Sequence, residues 1–186
     1  MQHSFDFLRE SLRNLRATGS VAPSSRFLCR RIVSKINAGR AKVVVELGPG
    51  NGVITHYILE RLPEDGRLLV FEINESFVRK IRERFDDPRL TVIHDSAQRM
   101  GDHFDSMNIQ SVDYIISGIP FVMLDDKLSA DIIGQCRHWL GAGGRFVQFH
   151  YSPLMLNIYR RIFGNIDVEF IPLNIPPALV ISCEKT

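Results

Sequence analysis

The sequence has 186 residues, of which 45% are hydrophobic and 24% charged, with 23 Lys and Arg against 21 Asp and Glu. This length and apolar content predict one folded domain and exclude a disordered or low-complexity chain. No uncharged apolar run reaches the roughly 18–20 residues that a bilayer span needs, and the charged first residues lack the apolar core of a secretory signal. We therefore expect a cytoplasmic protein that does not cross a membrane.

The net charge of +2 is unevenly distributed along the chain. Residues 1–40 contain eight basic and two acidic side chains, whereas residues 41–186 contain fifteen basic and nineteen acidic ones. A basic leader on a mildly acidic body favours a polyanionic partner, either a nucleic acid or an anionic membrane surface. The three cysteines lie far apart without the spacing of a zinc site, so we predict buried reduced thiols and no metal.

Two short helices are predicted in the basic leader. Apolar residues recur every three or four positions from residue 5 to residue 15, with arginines between them, and Gly19 ends this pattern. Ser24 and Ser25 then precede a second helix over residues 26–36, because serine before an apolar periodic run is a typical N-cap.

From residue 42 onward, β-branched runs alternate with helical patterns. Strands are predicted over residues 43–47, 67–72, 90–94, 112–117 and 144–151, with helices over 53–62, 75–85, 98–108 and 126–140. A helix over 155–163 and two strands over 166–172 and 178–184, forming an antiparallel hairpin at the sheet edge, complete the chain. This alternation predicts an α/β domain over residues 41–186, doubly wound about a mostly parallel sheet, behind an N-terminal helical leader over residues 1–40.

A glycine-rich loop follows the first predicted strand and opens a helix. It contains Gly48, Pro49, Gly50, Asn51 and Gly52. Glycines at alternate positions allow a sharp turn and bring backbone N–H groups close to a ligand. Glu46, two residues before this loop, would repel a pyrophosphate but attract a ligand that carries an ammonium group.

Two further acids lie at the carboxyl ends of the next two strands, with Glu72 ending the second strand and Asp95 directly after the third. Glu72 is placed to accept hydrogen bonds from both hydroxyls of a ribose, and Asp95 from the exocyclic amine of an adenine. Three acids at the carboxyl ends of successive strands indicate a ligand site, because doubly wound sheets bind ligands at that edge.

The order of these segments resembles the first three motifs of class I S-adenosylmethionine-dependent methyltransferases. The matching runs are VVVELGPGNG, FEIN and HDSA, within a resemblance that covers roughly residues 20–186. It implies S-adenosyl-L-methionine as cofactor and a Rossmann-like seven-stranded sheet with an antiparallel last strand. It further implies that Glu46 and the glycine loop hold the methionyl part, Glu72 the ribose, Ile73 a ring face, and Asp95 with Ser96 the adenine.

The fourth strand ends in the turn Ser117-Gly118-Ile119-Pro120-Phe121. Ser117 is assigned to the cofactor site and the other four to the substrate site, with Pro120 stiffening the turn, Phe121 as a wall, and carbonyls near Gly118 accepting bonds from an amine. The turn is similar to the N-[IL]-P-[YF] motif of RNA adenine N-methyltransferases, but Gly118 stands where those enzymes have an asparagine that grips the base.

The same turn resembles more closely the S-G-[LI]-P turn of bacterial phospholipid N-methyltransferases, which act on phosphatidylethanolamine. Three other segments are similar to that family: LRN followed by GSVAPSSR, then VQFHYSP, then NIPPA. This resemblance implies N-methylation of a phospholipid amine, with dimethylation of adenine in RNA as the alternative. His150 and Tyr151, at the end of the fifth strand, are the candidates for orienting the amine, and Tyr151 and Phe121 offer aromatic faces to a cationic product.

The basic leader fits both a membrane and a lid. A helix with apolar residues on one side and arginines at its margins lies readily in a membrane interface, so residues 1–18 are predicted to hold an anionic membrane surface. This predicts a cytoplasmic protein working on the inner face of a membrane. The alternative is a lid that packs its apolar side on the domain and covers the cofactor.

Overall fold

A computed structural model describes residues 24–186. It contains six helices and seven strands in this part of the chain, apart from short 3-10 turns. The helices are α1 (Arg26–Val33), α2 (Val53–Arg61), α3 (Glu75–Arg84), α4 (Met100–Ser106), α5 (Asp126–Trp139) and α6 (Leu156–Phe163). The strands are β1 (Val43–Leu47), β2 (Arg67–Phe71), β3 (Leu90–Ile93), β4 (Val112–Ser117), β5 (Leu140–His150), β6 (Ile166–Ile171) and β7 (Ala178–Glu184).

The strands form one sheet in the order β3-β2-β1-β4-β5-β7-β6. The pairs from β3 through β5 are parallel, and β7 lies antiparallel to both β5 and β6. The predicted seven-stranded, mostly parallel sheet with its antiparallel last strand is therefore confirmed. Because the order reverses direction at β1, the edge beside β1 and β4 is the position where such sheets bind ligands.

Two apolar cores cover the two faces of the sheet. One face packs against α4, α5 and α6, and its fully buried residues include Phe104, Ile132 and Tyr159. The other packs against α1, α2 and α3, with Leu28 and Ile58 fully buried. Helix α1 therefore belongs to the core of the domain, although the sequence assigned it to the leader.

The N-terminus of α1 is capped as predicted, since the Ser25 hydroxyl accepts a hydrogen bond from the Leu28 N–H. The predicted leader helix over residues 5–15 and the predicted membrane contact of residues 1–18 lie outside the described residues. Within residues 24–186, no helix combines the length and the apolar character that crossing a bilayer demands. The three cysteines are buried with free thiols, as predicted.

One predicted boundary is wrong. The strand predicted over residues 144–151 begins four residues earlier, since α5 ends at Trp139 and β5 begins at Leu140. Leu140 already pairs with Val112, and a register shift between Val112 and Tyr114 accommodates the extra residues. Glycine-rich sequence is compatible with a helix C-terminus and with an irregular strand, and here the pairing with β4 decides between them.

Candidate functional site

The loop between β1 and α2 depends on its glycines. Gly48, Gly50 and Gly52 all have positive φ, at 68°, 61° and 75°, a conformation that side-chain-bearing residues rarely adopt. The Gly48 N–H donates to the Phe71 carbonyl at 2.9 Å, which ties the loop to the end of β2. The loop thus presents bare backbone at the edge of the sheet, with the N-terminus of α2 behind it.

The Glu46 carboxyl lies beneath this loop and is almost completely buried. Its Oε2 accepts a hydrogen bond from Thr55 Oγ1 at 2.6 Å. Burial raises the pKa of Glu46 to about 8, an effect that the Thr55 hydrogen bond opposes and the nearby charge of Glu72 reinforces. A cationic group beside this carboxyl would stabilise its ionised form, so the site suits a ligand with an ammonium group.

Glu72 joins two turns of the site. It is buried at the end of β2, where Oε1 accepts from the Asn74 N–H at 2.9 Å and Oε2 accepts from the Gly50 N–H at 3.2 Å. The carboxylate therefore fixes the middle of the glycine loop against the turn that begins α3. Ile73 follows in that turn, partly buried against the core.

Asp95 is held by partners that the sequence analysis did not single out. Its Oδ2 lies 2.9 Å from His103 Nε2 and 3.3 Å from an Arg99 nitrogen, while Oδ1 accepts from the Ser96 N–H at 2.8 Å. Burial acts to raise the pKa of Asp95, but the His103 hydrogen bond, with Ser96 and Arg99, outweighs it and brings the pKa below its usual range. The spacing of Arg99 four residues after Asp95 was the available sequence signal.

The turn after β4 lies directly against the glycine loop. The Gly118 N–H donates to the Leu47 carbonyl at 2.8 Å, and a Cβ at Gly118 would lie only 2.7 Å from the Gly48 carbonyl oxygen. Ser117 is fully buried, with its Oγ accepting from the Ile119 N–H at 3.2 Å. Close backbone approach is therefore the reason for a glycine at position 118, since a carbon at that place would meet another backbone.

Gln148 fixes this turn from the neighbouring strand. Its buried side-chain amide donates from Nε2 to the Ile119 carbonyl at 3.1 Å and to the Phe149 carbonyl at 2.9 Å. Its Oε1 has no hydrogen-bond partner among residues 24–186. In the sequence Gln148 is part of the VQFHYSP segment, and no local pattern indicates this role for it. Phe121, expected to form a wall, is fully buried in the core on the α5 face.

His150 and Tyr151 point in different directions. His150 is buried, and its Nε2 lies 2.7 Å from the hydroxyl of fully buried Tyr159. Burial lowers the pKa of His150 to about 4, so the imidazole is neutral at physiological pH. Tyr151 is exposed at the edge, where partial burial raises its pKa and a hydrogen bond with Asn174 opposes that shift. Of the two, only Tyr151 is accessible to an incoming molecule.

The described residues thus gather Glu46, Glu72, the glycine loop and the Gly118 turn at one edge. A relative matches over nearly all of the chain: the Ornithine lipid N-methyltransferase of Singulisphaera acidiphila is 33% identical over 185 residues, covering 98% of this chain and 96% of the relative. The chain belongs to the class I S-adenosylmethionine-dependent methyltransferases. S-Adenosylmethionine is its cofactor, and the buried acids beside the bare glycine loop fit such a nucleoside with an ammonium group.

Matches of this methyltransferase to RNA-modifying relatives are shorter. The family model described as Ribosomal RNA adenine dimethylase matches residues 23–109. The Ribosomal RNA small subunit methyltransferase A of Aromatoleum aromaticum is 30% identical over 94 residues, which is 50% of this chain and 33% of that relative.

Solved structures share the fold of this methyltransferase. The Burkholderia thailandensis 1,6-didemethyltoxoflavin-N1-methyltransferase, solved with S-adenosylhomocysteine, superposes with a TM-score of 0.71 at 15% identity, over 98% of this chain and 87% of that one. An O-methyltransferase from Bacillus cereus gives a TM-score of 0.70 at 14% identity, over 97% and 91% of the two chains. At these identities, the superpositions establish the shared fold.

Proposed function

We propose that this methyltransferase transfers methyl groups to the amine of a membrane lipid. The relative that matches the whole chain is named for a lipid substrate. The family model for RNA adenine dimethylation ends at residue 109, before β4 and the turn that follows it. The resemblance to RNA enzymes is therefore concentrated in the half of the domain that serves the cofactor in both families.

The observation that carries this proposal is the lack of space for a side chain at position 118. RNA adenine N-methyltransferases grip their base with an asparagine at the position that matches Gly118. Here an added Cβ would approach the Gly48 carbonyl oxygen to 2.7 Å, well inside normal contact distance. The site has no such side chain and the adjoining backbones leave no space for one, which favours an acceptor held by backbone groups over a clamped adenine.

The sequence motifs predict phosphatidylethanolamine as the methyl acceptor, whereas the relative that matches nearly the whole chain is named for an ornithine lipid. We therefore widen the proposed acceptor to a class of lipid amines. We propose a lipid that presents a primary amine, with an ornithine headgroup as first choice and phosphatidylethanolamine as second. Both acceptors offer a nitrogen lone pair on a flexible headgroup anchored by acyl chains, so the same turn suits either of them.

The chain's own residues bind and orient the reactants. S-Adenosylmethionine supplies an electrophilic methyl group on a sulfonium. In this proposal Glu46 and the glycine loop bind the methionyl end, Glu72 the ribose, and Asp95 with Ser96 the adenine, while Ile73 packs on a ring face. The residues that would hold the cofactor therefore adjoin the Gly118 turn, which lies directly against the glycine loop. Alignment of this kind contributes up to ~7–11 kcal/mol in favourable cases.

On the acceptor side, the headgroup ammonium would first lose a proton to water, and the freed nitrogen lone pair would then accept the methyl group, which leaves a methylammonium product and a neutral thioether. Carbonyls of the turn over residues 118–120 and the exposed Tyr151 hydroxyl orient the amine. Gln148 acts as a positioning residue because it holds the Ile119 carbonyl, and His150 supports the end of β5 from within through Tyr159. Desolvation at the edge favours transfer, since it removes water that competes for the lone pair.

Residues 1–18 are proposed to bring the enzyme to an anionic membrane, on its cytoplasmic face. Their alternating apolar residues and arginines fit an interfacial helix, and each arginine near an anionic surface contributes on the order of 1 kcal/mol. In the alternative, the same segment closes over the cofactor. Deleting residues 1–18 separates the two, because loss of vesicle binding indicates the membrane and loss of cofactor affinity indicates the lid.

The test of the function is a transfer assay with the pure protein and S-adenosylmethionine labelled on its methyl group. Vesicles that contain an ornithine lipid, vesicles that contain phosphatidylethanolamine, and unmodified ribosomal RNA are offered in parallel. We expect label in a lipid fraction, with Glu72→Ala as the inactive control. Label in the RNA and none in either lipid would overturn the proposal in favour of adenine methylation.

A further inference from the structure

Three segments of the loops at the carboxyl edge of the sheet carry no charged side chain, although the loop after β4 continues into the exposed Asp125, which caps α5. Residues 118–124, 151–155 and 172–177 follow β4, β5 and β6, and we call them together the uncharged rim. Because β7 is antiparallel to both β5 and β6, strands β5 and β6 run in the same direction. The loops that follow these two strands therefore lie at the same edge of the sheet. The 18 residues of the rim include no Asp, Glu, Lys, Arg or His. At the 24% frequency of the whole chain, about four charged residues would be expected.

The uncharged rim also exposes large apolar side chains. Ile175 is 85% exposed, Leu154 79% and Leu173 60%. Val122 and Met123, in the loop after β4, are exposed as well. Single exposed apolar residues are ordinary on protein surfaces, but a group of them on neighbouring loops marks a surface that contacts something apolar.

Hydrogen bonds of Asn174 anchor the third segment of the rim, and this anchoring directs the neighbouring apolar side chains outward. Asn174 is buried between Leu173 and Ile175, where its Oδ1 accepts from the Ser25 N–H at 2.9 Å and its Nδ2 donates to the Pro176 carbonyl at 2.7 Å. With Asn174 fixed inward, its two neighbours face away from the core. The rim therefore presents apolar groups on a rigid support, which suits repeated binding to a surface without a folding step.

The position of the uncharged rim beside the proposed acceptor site limits which kinds of molecule can bind over it. Gly118 and Tyr151, which lie in two of its loops, form the acceptor side of the proposed site. A protein seated on this edge would block the entry of the acceptor. A bilayer that contains the acceptor covers the apolar side chains and supplies the amine at the same time.

The margin of the rim carries charges of both signs, with a basic and an aromatic side chain at the start of α1 and the exposed Asp125 and Asp126 at the start of α5. Arg26 and Phe27 are exposed at the start of α1, next to Ser25, whose N–H binds Asn174 in the rim. The Arg26 guanidinium carbon lies 5.0 Å from the centre of the Phe27 ring. On the α1 side, a basic and an aromatic side chain beside an apolar surface match the headgroup level of a membrane.

We infer that the uncharged rim inserts its apolar side chains into the bilayer that holds the substrate. This inference rests on the proposed function for the identity of the surface. It assigns the contact to the catalytic edge itself, separately from the contact proposed for residues 1–18. In this arrangement the acceptor amine reaches the Gly118 turn from the headgroup layer, and the acyl chains stay in the membrane.

The first test is vesicle binding by the triple variant Leu154→Ser/Leu173→Ser/Ile175→Ser of the full chain. Phosphatidylcholine vesicles with phosphatidylglycerol are used at high salt, which screens the contribution of the arginines. We expect roughly 100-fold weaker partition, because three apolar side chains lose their burial in hydrocarbon. The matched control is Val168→Ser, an exposed apolar residue on β6 outside the rim, for which partition is expected to stay unchanged.

A second test reports directly whether the rim enters the hydrocarbon layer of the bilayer. A tryptophan introduced by Ile175→Trp is expected to be quenched by brominated phosphatidylcholine, and one introduced by Val168→Trp is expected to remain unquenched. Equal quenching of both would mean that the rim has no special contact with the bilayer and would overturn the inference. Cofactor affinity by calorimetry, expected to be unchanged in every variant, verifies that each one is folded.

The outcomes separate this inference from the proposed function. If the wild type methylates no lipid but the triple variant still loses vesicle binding, the proposed function fails and the rim contact stands. Unchanged partition of the triple variant overturns the rim contact whatever the substrate is. If that unchanged partition is accompanied by loss of a dimer in light scattering, the rim binds a second copy of the chain, which also overturns the inference.

Discussion

The two halves of the ligand-binding edge are built on different principles. The half that follows β1, β2 and β3 holds buried or paired carboxyls, each fixed by identified hydrogen bonds, such as Glu46 with Thr55 and Asp95 with His103. The half formed by the uncharged rim after β4, β5 and β6 exposes apolar side chains instead. A small polar cofactor is recognised by fixed polar groups, whereas an acceptor embedded in a lipid layer favours an apolar approach surface.

The two halves meet where Gly118 touches Gly48, so the largest effect is expected there. Gly118→Asn adds a side chain against the Gly48 carbonyl and pushes the two turns apart. We expect methyl transfer to fall by about 100-fold or more, because a displacement near 1 Å is enough for such a loss. Steady-state transfer to lipid vesicles measures it.

The matched control for Gly118→Asn is Gly134→Ala on α5, where an added Cβ meets nothing within 4 Å. That variant is expected to keep full activity. RNA methylation gained by Gly118→Asn would contradict both the spatial argument and the lipid assignment.

A substitution at Glu72 tests only the half of the edge that follows β1, β2 and β3. Glu72→Gln keeps the size of the side chain but removes the charge that favours bonds from ribose hydroxyls. We expect cofactor affinity to weaken roughly 50-fold, as for the loss of charge-assisted hydrogen bonds. Calorimetry with S-adenosylhomocysteine measures the change. The matched control is Glu75→Gln, an exposed acid on α3 that pairs with Arg79, and this variant is expected to bind normally. Equal losses in both variants would argue against a specific role for Glu72.

Glu46 predicts a pH dependence of stability. Burial raises its pKa in the folded protein to about 8 from an ordinary value of 4.5, so the folded state holds a proton that the unfolded state has lost. That stabilising contribution is complete below pH 4.5 and is lost as pH rises through about 8. Between pH 6 and pH 8 we expect the free energy of unfolding of the ligand-free wild type to fall by about 2 kcal/mol relative to Glu46→Gln.

Urea unfolding of both proteins at the two pH values measures the Glu46 effect. His150, with its pKa lowered to about 4, is present in both proteins and cancels in the comparison. Parallel pH profiles for the wild type and Glu46→Gln would show that the carboxyl is ionised in the folded protein.

The smallest effect is expected for a substitution in the uncharged rim. Tyr151→Phe removes only the hydroxyl, which is proposed to help orient the amine and which interacts with Asn174. We expect about a threefold rise in KM for the lipid amine with unchanged cofactor affinity, since one exposed neutral hydrogen bond contributes only modestly. An unchanged KM together with a weaker cofactor would assign Tyr151 to the other half of the edge.

Much of the fold was predictable from the pattern of apolar residues. Strands β1, β4 and β7 follow from buried β-branched runs, and β6 from an alternation of apolar and acidic residues, each bounded by turn residues, and these signals are local. The start of β5 was not predictable, because the glycines at 141, 143 and 144 suit a helix end as well as an irregular strand. Pairing of Leu140 with Val112 decides it, and pairing across 28 positions leaves no local signal.

The candidate site divides in the same way. The positive φ angles of the glycine loop and the acids after three strands are local features, and the sequence by itself determined their place at one edge. The inward turn of His150 toward Tyr159, the hold of Gln148 on Ile119, and the contact of Gly118 with Gly48 were decided only by the tertiary structure. Each of these contacts joins segments distant in the chain, so its geometry depends on how strands and helices pack, which the spacing of residues along one segment does not encode.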